Sequence, residues 1–269
     1  MAKLKKNNNK LGQTTIFIII ALVIVAVVLL ILFLRSSVGP DTGRQPEKNH
    51  ESFLETCIEE SIKESVNLLS EQGGYIDPEL YREFLFAGDT EPSVIAYLCY
   101  YGGYYKPCVN QEPVLLQHVS EEIKQDIQED LYDCFASLGT SLEDQGYQVE
   151  SRHRVGDFEV FLKPGSILIN IEGEIKMIKS GETSVTKSFK IEHNSELYDL
   201  LSVTQEAINK EAASADCVFD HVNYQTLYPE FTIRKYNGNN GTEIYKIEKQ
   251  DTEEMFMFAT RGCVIPPGL

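Results

Sequence analysis

The sequence lacks the short motifs by which the common classes of enzyme are identified. It has no G-x-S-x-G turn for a nucleophilic serine, no H-E-x-x-H zinc motif, and no phosphate loop of the G-x-x-x-x-G-K-[ST] or G-x-G-x-x-G type. Its five histidines are scattered, and its many carboxylates do not single out one acid/base pair. We therefore predict that the protein is not an enzyme and has no catalytic, cofactor-binding or metal-binding residues.

Two further absences concern cysteine spacing and charge. None of the six cysteines belongs to a C-x-x-C pair, which argues against a zinc knuckle and a thioredoxin-type site. The first 35 residues contain no Asp or Glu, whereas the rest of the chain holds all 41 acidic residues against 19 basic ones, a net charge of −22. A body this acidic is a poor ligand for nucleic acid, so we expect no nucleic-acid partner.

A long apolar stretch without a charged residue lies near the start of the chain, at residues 14–34. These 21 residues contain no Gly or Pro, and as a helix they extend about 30 Å, the thickness of a bilayer's hydrocarbon core. The stretch is too long for the apolar part of a cleaved signal peptide, so we predict a retained transmembrane helix in the cell membrane. Four lysines precede it, and the positive-inside rule then places the N-terminus in the cytoplasm and the C-terminal domain outside.

Composition and periodicity divide the chain into five parts. They are a basic cytoplasmic tail at 1–13, the transmembrane helix at 14–34, a linker at 35–51, a helical cysteine-bearing part at 52–140 and a sheet part at 141–269. The last two parts form the extracytoplasmic domain. Its apolar residues recur first with the period of a helix and then with the period of a strand, which predicts an α+β fold with amphipathic helices and an antiparallel sheet.

Two amphipathic helices are predicted in the helical part. Ser52 and Glu55 form a capping-box pattern at the start of the first, which ends before Gly73. The second runs from Val114 to Leu138 and ends at Gly139.

The six cysteines all follow residue 35, and an even number outside the cytoplasm indicates disulfides. Cys57 and Cys134 fall on the apolar stripes of the two helices, so we favour a bridge that locks these helices face to face. Six cysteines allow 15 pairings, and buried free thiols are the alternative interpretation.

A tyrosine-rich segment runs from Tyr97 to Cys108 around Gly102-Gly103, with Cys99 and Cys108 near its ends. It predicts a β-hairpin, which a disulfide between these cysteines would close. We favour tyrosines that alternate between core and surface. The alternative is a closed hairpin that presents aromatic rings to a sugar or a partner chain. These two bridges leave Cys217 and Cys263, which we expect to pair.

The period of two begins near Tyr147 and predicts three or four strands up to Ile191. A helix follows, and three further strands are expected: Phe231–Tyr236, Glu243–Lys249 and Met255–Thr260. Asn240-Gly241-Thr242 is an N-glycosylation acceptor pattern in the turn between two of these strands.

One helical pair could bind a metal ion. His118 and Glu122 are four residues apart and share a face of the second helix. We interpret them as a solvated pair, because pairs of this kind are common on helix surfaces.

The start of the chain resembles the class III (type IV pilin-like) signal of archaeal pilins. The resemblance is carried by the lysine-rich tail, Gly12-Gln13 and the uninterrupted apolar run after them. It implies cleavage after Gly12 by a prepilin peptidase. Leu11 stands where a basic residue is usual, and Phe17 stands where pilins carry Glu. The missing acid implies that the helix stays in the bilayer even if the tail is removed.

A broader resemblance is to uncharacterised archaeal membrane-anchored proteins. It rests on Gly12-Gln13, the single apolar helix, the helix around Cys57, the Gln72-Gly73-Gly74-Tyr75 segment, Cys134 and the segment 256–261. This resemblance implies a class and a location but no activity.

The function that we predict is that of a single-pass, extracytoplasmic structural or interaction protein of the cell envelope, with other envelope proteins as partners. The first alternative is a pilin-like filament or assembly subunit. The second is an envelope enzyme or ligand-binding receptor whose site is assembled from scattered residues.

Overall fold

A computed structural model describes residues 46–152, 158–213, 217 and 219–266 of the protein. Within these ranges the chain forms five α-helices and ten strands. The helices are α1 Pro46–Gln72, α2 Leu115–Asp126, α3 Gln128–Asp144, α4 Leu197–Ala213 and α5 His221–Leu227. The strands are β1 Tyr81–Phe84, β2 Ser93–Tyr100, β3 Val109–Asn110, β4 Gln148–Arg152, β5 Phe158–Lys163, β6 Ser166–Lys179, β7 Glu182–Asn194, β8 Phe231–Asn237, β9 Thr242–Lys249 and β10 Met255–Arg261.

The strands form two sheets, and the fold is α+β as expected. The first sheet has the order β1-β2-β10-β9-β8, with β3 also paired to β2, and the second has the order β4-β6-β5, with β7 paired to β6. Every pair in the second sheet is antiparallel. The first sheet is mixed, because β10 runs parallel to β2. The expectation of a purely antiparallel arrangement is therefore wrong for this sheet.

Strand β10 lies inside the first sheet, between β2 and β9. Phe256 and Phe258 on one of its faces belong to the main hydrophobic core, whereas Met257 and Ala259 on the other belong to a smaller cluster. Because successive side chains of a strand point to opposite faces, a strand covered on both sides is apolar throughout. This explains the unbroken run of apolar residues at the start of β10.

The first helix begins earlier than the sequence predicted. Helix α1 starts at Pro46, so residues 46–51 of the expected linker are helical, and Ser52 lies inside the helix instead of at its cap. The carbonyl of Ser52 accepts a hydrogen bond from Thr56 Oγ1 at 2.9 Å. Proline suits the first position of a helix because it has no N–H to leave unpaired there.

Cys57 lies beside the buried stripe of α1 and not on it. Leu54, Ile58 and Ile62 are fully buried at steps of four residues, whereas Cys57 is exposed. The expectation that Cys57 belongs to the buried face is therefore wrong. Its partner Cys134 is buried as predicted.

The predicted second helix is two helices. The chain leaves regular helical geometry at Ile127 (φ −84°, ψ 0°), which separates α2 from α3. The break lets α2 pack against β5 while α3 packs against β4. Gly139 does not end the helix, because α3 continues to Asp144 and buries Leu142.

Residue 140, where we expected the helical part of the domain to end and its sheet part to begin, separates strands that belong to the same sheet. Strands β1, β2 and β3 all precede it, and β2 pairs with β10 from the end of the chain. The described residues from Glu47 onward form one compact unit. Strands far apart along the chain therefore meet in one sheet.

The domain contains three disulfides, Cys57–Cys134, Cys99–Cys108 and Cys217–Cys263. These are the pairs that the sequence favoured, and all six cysteines are bonded. Their Cα–Cα distances of 5.9, 5.3 and 5.8 Å are ordinary for disulfides. Such bonds persist in oxidising surroundings, so the domain suits an oxidising, extracellular environment.

Candidate functional site

Two disulfides lie close together at one end of the first sheet. The Cβ that a side chain would add at Gly262 would lie 2.8 Å from the backbone nitrogen of Cys108 and 3.3 Å from Sγ of Cys217. The chain can pass between the two bridges only because residue 262 has no side chain. Cys99–Cys108 and Cys217–Cys263 therefore fix the same small region. We call this region the tyrosine corner and define it as residues 99–108, 238–242 and 261–265.

The predicted β-hairpin is present as the antiparallel pair β2–β3, and the disulfide Cys99–Cys108 closes it, but a wide loop connects the strands where the sequence predicted a turn at Gly102-Gly103. The short strand β3 returns beside the end of β2, with Val109 opposite Tyr100. The loop's backbone bonds to the C-terminal segment. Tyr105 N–H donates to the carbonyl of Val264 at 3.0 Å, and Cys263 N–H donates to the carbonyl of Lys106 at 2.7 Å. The loop is thus held along its length by another part of the chain.

Arg261 joins all three segments of the tyrosine corner. One of its guanidinium nitrogens, Nη1, donates to the carbonyls of Tyr101 and Gly103, and its Nε donates to the carbonyl of Asn240 at 2.9 Å. The planar guanidinium offers several donors in a fixed arrangement, which suits it to bridge backbone carbonyls. Arg261 therefore connects the tyrosine loop to the turn between β8 and β9.

The fixed loop presents aromatic side chains to solvent. Tyr104 is 47% exposed and Tyr105 is 60% exposed, and Ile265 from the C-terminal segment is 68% exposed. Tyrosines on a rigid backbone are effective contact residues, because they offer a large surface and lose little conformational entropy on binding. We predicted tyrosines divided between core and surface, with rings presented to a ligand as the alternative. The first interpretation is partly confirmed, because Tyr97 is buried whereas Tyr104 and Tyr105 are exposed.

The tyrosine corner also differs from the rest of the chain in charge. Its three segments contain Lys106 and Arg261 but no Asp or Glu, whereas the chain after residue 35 has a net charge of −22. A contact surface without carboxylates does not repel an acidic partner. The corner thus combines exposed rings, a fixed backbone and a local absence of negative charge.

His118 and Glu122 do not form a metal site with each other. Glu122 accepts a hydrogen bond from the backbone N–H of Ile76 at 2.9 Å, and His118 Nδ1 lies 3.9 Å from a carboxylate oxygen of Glu112. The same Glu112 accepts a hydrogen bond from the Tyr75 hydroxyl. The pKa of the Tyr75 hydroxyl is raised, mainly because the group is buried and secondly because it donates this hydrogen bond to Glu112. The cluster holds the chain that follows α1 against α2, and the described residues contain no group of three His, Cys, Asp or Glu side chains placed to hold a metal ion.

A buried carboxylate, Glu211, lies inside the domain and holds the chain near Cys217. Glu211 on α4 is 1% exposed and accepts hydrogen bonds from the Tyr245 hydroxyl at 2.6 Å and from Phe219 N–H at 3.0 Å. Burial raises the pKa of Glu211, and the two hydrogen bonds partly oppose that shift. Glu211 thereby fixes the backbone at Phe219, two residues after Cys217.

Several predicted features lie outside the described residues. They are the expected processing site at Gly12 and Gln13, the apolar run at 14–34 and most of the linker. Over the part of the chain that the structure covers, no helix has both the length and the apolar character needed to cross a bilayer.

No protein-family model, curated protein or solved structure matches this chain. The assignment of a site therefore rests on the chain's own geometry.

Two important residues of the tyrosine corner had no clear signal in the sequence. From the sequence, Arg261 is interpreted only as the polar end of an apolar strand, and Thr242 only as the third residue of a glycosylation triplet. In the structure Arg261 joins three segments, and Thr242 is buried against Tyr97. The sequence held one usable signal for Arg261, which is the Gly262-Cys263 pair that follows it. A glycine beside a disulfide-bonded cysteine indicates that two backbone segments approach closely there.

Proposed function

We propose that this chain is a membrane-anchored, extracytoplasmic interaction protein of the cell envelope, and that it contacts its partner through the tyrosine corner. The observation that carries the proposal is a fixed loop with Tyr104 and Tyr105 exposed beside Ile265. Interfaces owe most of their affinity to a few such residues, with tyrosine prominent among them.

The rigidity of the corner supports a role in binding. Association costs free energy for every loop that must become ordered. Here two disulfides and the bonds from Arg261 have already ordered the loop before a partner arrives. A contact surface prepared in this way loses little of its binding free energy to loop ordering.

The anchoring part of the proposal rests on the sequence and on the disulfides. The apolar run at 14–34 has the length of a membrane span, and the lysines before it favour a cytoplasmic N-terminus. Three disulfides favour an oxidising compartment for everything after it. Both arguments lead to the same orientation.

The test is a chemical cross-linking experiment on cells that carry the full-length chain. The double variant Tyr104→Ser/Tyr105→Asn removes the exposed rings, and asparagine tolerates the positive φ of residue 105. We expect the cross-linked envelope partner seen with the unmodified chain to disappear, while the amount of folded chain stays the same.

The matched control removes an exposed tyrosine elsewhere. Tyr81 on β1 is 46% exposed and lies outside the tyrosine corner, so Tyr81→Ser should retain the cross-linked partner. Equal loss of the partner in both variants, or in neither, would refute the proposed role of the corner.

A further inference from the structure

The triplet Asn240-Gly241-Thr242 has its two recognition residues in opposite environments. Asn240 is exposed in the turn between β8 and β9, with φ 61° and ψ 31°. Thr242 begins β9 and is only 2% exposed. Its Oγ1 lies 2.7 Å from the hydroxyl oxygen of Tyr97, which is itself buried. The folded domain therefore presents the asparagine and hides the threonine hydroxyl.

Several contacts close the structure over this triplet. Thr242 stands opposite Arg261 on β10, and the carbonyl of Thr242 accepts a hydrogen bond from Gly238 N–H at 2.8 Å. A Cβ added at Gly241 would lie 2.5 Å from a methyl carbon of Val264. The hydroxyl of Thr242 is therefore enclosed in the folded sheet, with β10 paired beside it and the Tyr97 hydroxyl against it.

N-glycosylation depends on both ends of such a triplet. The acceptor is the asparagine side chain, and the residue two positions later must be serine or threonine. A transferase that has to reach both groups cannot do so in the folded domain. We propose that Asn240 carries an N-linked glycan, and that the glycan is attached before the tyrosine corner folds.

The chemistry is a transfer from a lipid-linked donor. The amide nitrogen Nδ2 of Asn240 forms a bond to the anomeric carbon of the first sugar of a polyprenyl-phosphate-linked oligosaccharide. The bond between that carbon and the phosphate oxygen breaks, and the polyprenyl phosphate or diphosphate leaves with its electron pair. One amide proton is released, and no oxidant or reductant is needed.

The positions of these residues along the sequence show when the glycan can be transferred. The corner needs β10, Cys263 and Val264, all of which follow the triplet in the chain. Until these residues reach the same compartment, β9 has no partner at Thr242 on that side and the hydroxyl stays open. The transfer therefore precedes the pairing of β10 with β9.

The first experiment analyses the full-length chain extracted from its native membranes. Mass spectrometry of the peptide that contains Asn240 should show a glycan on most molecules. A native peptide that is entirely unmodified would overturn the inference. This inference relies on the extracytoplasmic location in the proposed function, but its readout does not depend on any partner. A glycosylated chain whose Tyr104→Ser/Tyr105→Asn variant keeps every cross-link would refute the proposed function alone.

The second experiment tests the order of events. Full-length chain made in a host without N-glycosylation is supplied to native membranes, which provide the transferase and its donor. One sample keeps its disulfides, and the other is reduced and alkylated so that it cannot refold. We expect at least a tenfold higher modification of Asn240 in the unfolded sample.

A matched variant shows that the transferase can act on the folded chain. Gln250→Asn creates an Asn-Asp-Thr triplet between β9 and β10, where both Gln250 and Thr252 are exposed. This second triplet should be modified in the folded and the unfolded samples alike. Modification of folded Asn240 to the same extent as the triplet at position 250 would overturn the proposed order.

Discussion

The helix pair α1–α3 and the tyrosine corner both contain disulfides, but different forces hold them together. Around Cys57–Cys134 the two helices contribute Leu54, Ile58 and Leu131, all fully buried, to the main core. In the tyrosine corner the loop is fixed by two disulfides and by backbone hydrogen bonds, while its most prominent side chains remain in solvent.

This difference shows how the chain orders a region that it does not bury. Burial of apolar surface stabilises the helix pair by about 25 cal/mol per Å². The tyrosine corner gains little stabilisation from apolar burial, because Tyr104 and Tyr105 remain exposed to solvent. Covalent cross-links and Arg261 replace the missing burial there. The two regions should therefore respond differently to the loss of packing and to the loss of cross-links.

The largest effect is expected from a cavity in the helix pair. Leu131→Ala removes a side chain that is 0% exposed, and we expect it to lower the free energy of unfolding by about 2–5 kcal/mol. Urea denaturation of the disulfide-intact domain measures this change. Ser137→Ala on the exposed face of the same helix should change stability by less than about 0.5 kcal/mol. Equal values for the two variants would contradict the importance of packing here.

Removal of a cross-link should have its main structural effect at the tyrosine corner. The variant Cys217→Ser/Cys263→Ser should lose about 2–4 kcal/mol of stability and also the hydrogen-exchange protection of the Tyr101 and Tyr105 amides, which are bonded to Arg261 and Val264. The matched variant Cys57→Ser/Cys134→Ser should keep the protection of α1 and α3, because their buried residues remain packed. If the loop in the first variant stays as protected as before, the corner does not depend on its disulfides.

The smallest effect is a pH dependence that comes from Glu211. Its pKa is raised in the folded state, so as pH rises the unfolded chain releases this proton before the folded chain does. The unfolded state then binds fewer protons, and this contribution to stability falls between the ordinary Glu pKa and the raised one, by at most about 1.4 kcal/mol per pH unit. Glu211→Gln should remove that part of the slope in urea midpoints measured across pH. A slope that is identical in the variant would show that Glu211 does not titrate in this way.

Local periodicity predicted the elements well, because it reflects which residues are buried. The strands that end the chain and the turn around Asn240 stand where the alternation of apolar residues placed them. The same reasoning failed at Cys57, since a position at the edge of a helical stripe can face either way. It also missed the break at Ile127, because the stripe continues through it on both sides.

The candidate site was predictable only in pieces. The tyrosines and the pair Cys99–Cys108 are close in sequence, and a local pattern indicated them. The parallel pairing of β2 with β10 joins segments about 160 residues apart, as the bond from Arg261 to Tyr101 does. No local pattern encodes such contacts, because they depend on how the whole sheet is ordered.

The bridge between α1 and α3 also determines how the domain responds to mechanical load. A force applied through the residues before Pro46 acts first on the start of α1, and it reaches Cys57 within about three turns of helix. From there the bond to Cys134 transmits tension directly to α3. The chain between these cysteines, which are 77 residues apart, bears none of the load and cannot be extended. Of the elements up to α3, the first turns of α1 are therefore exposed to a pull from that side, whereas β1, β2 and α2 lie inside the span that the disulfide shields.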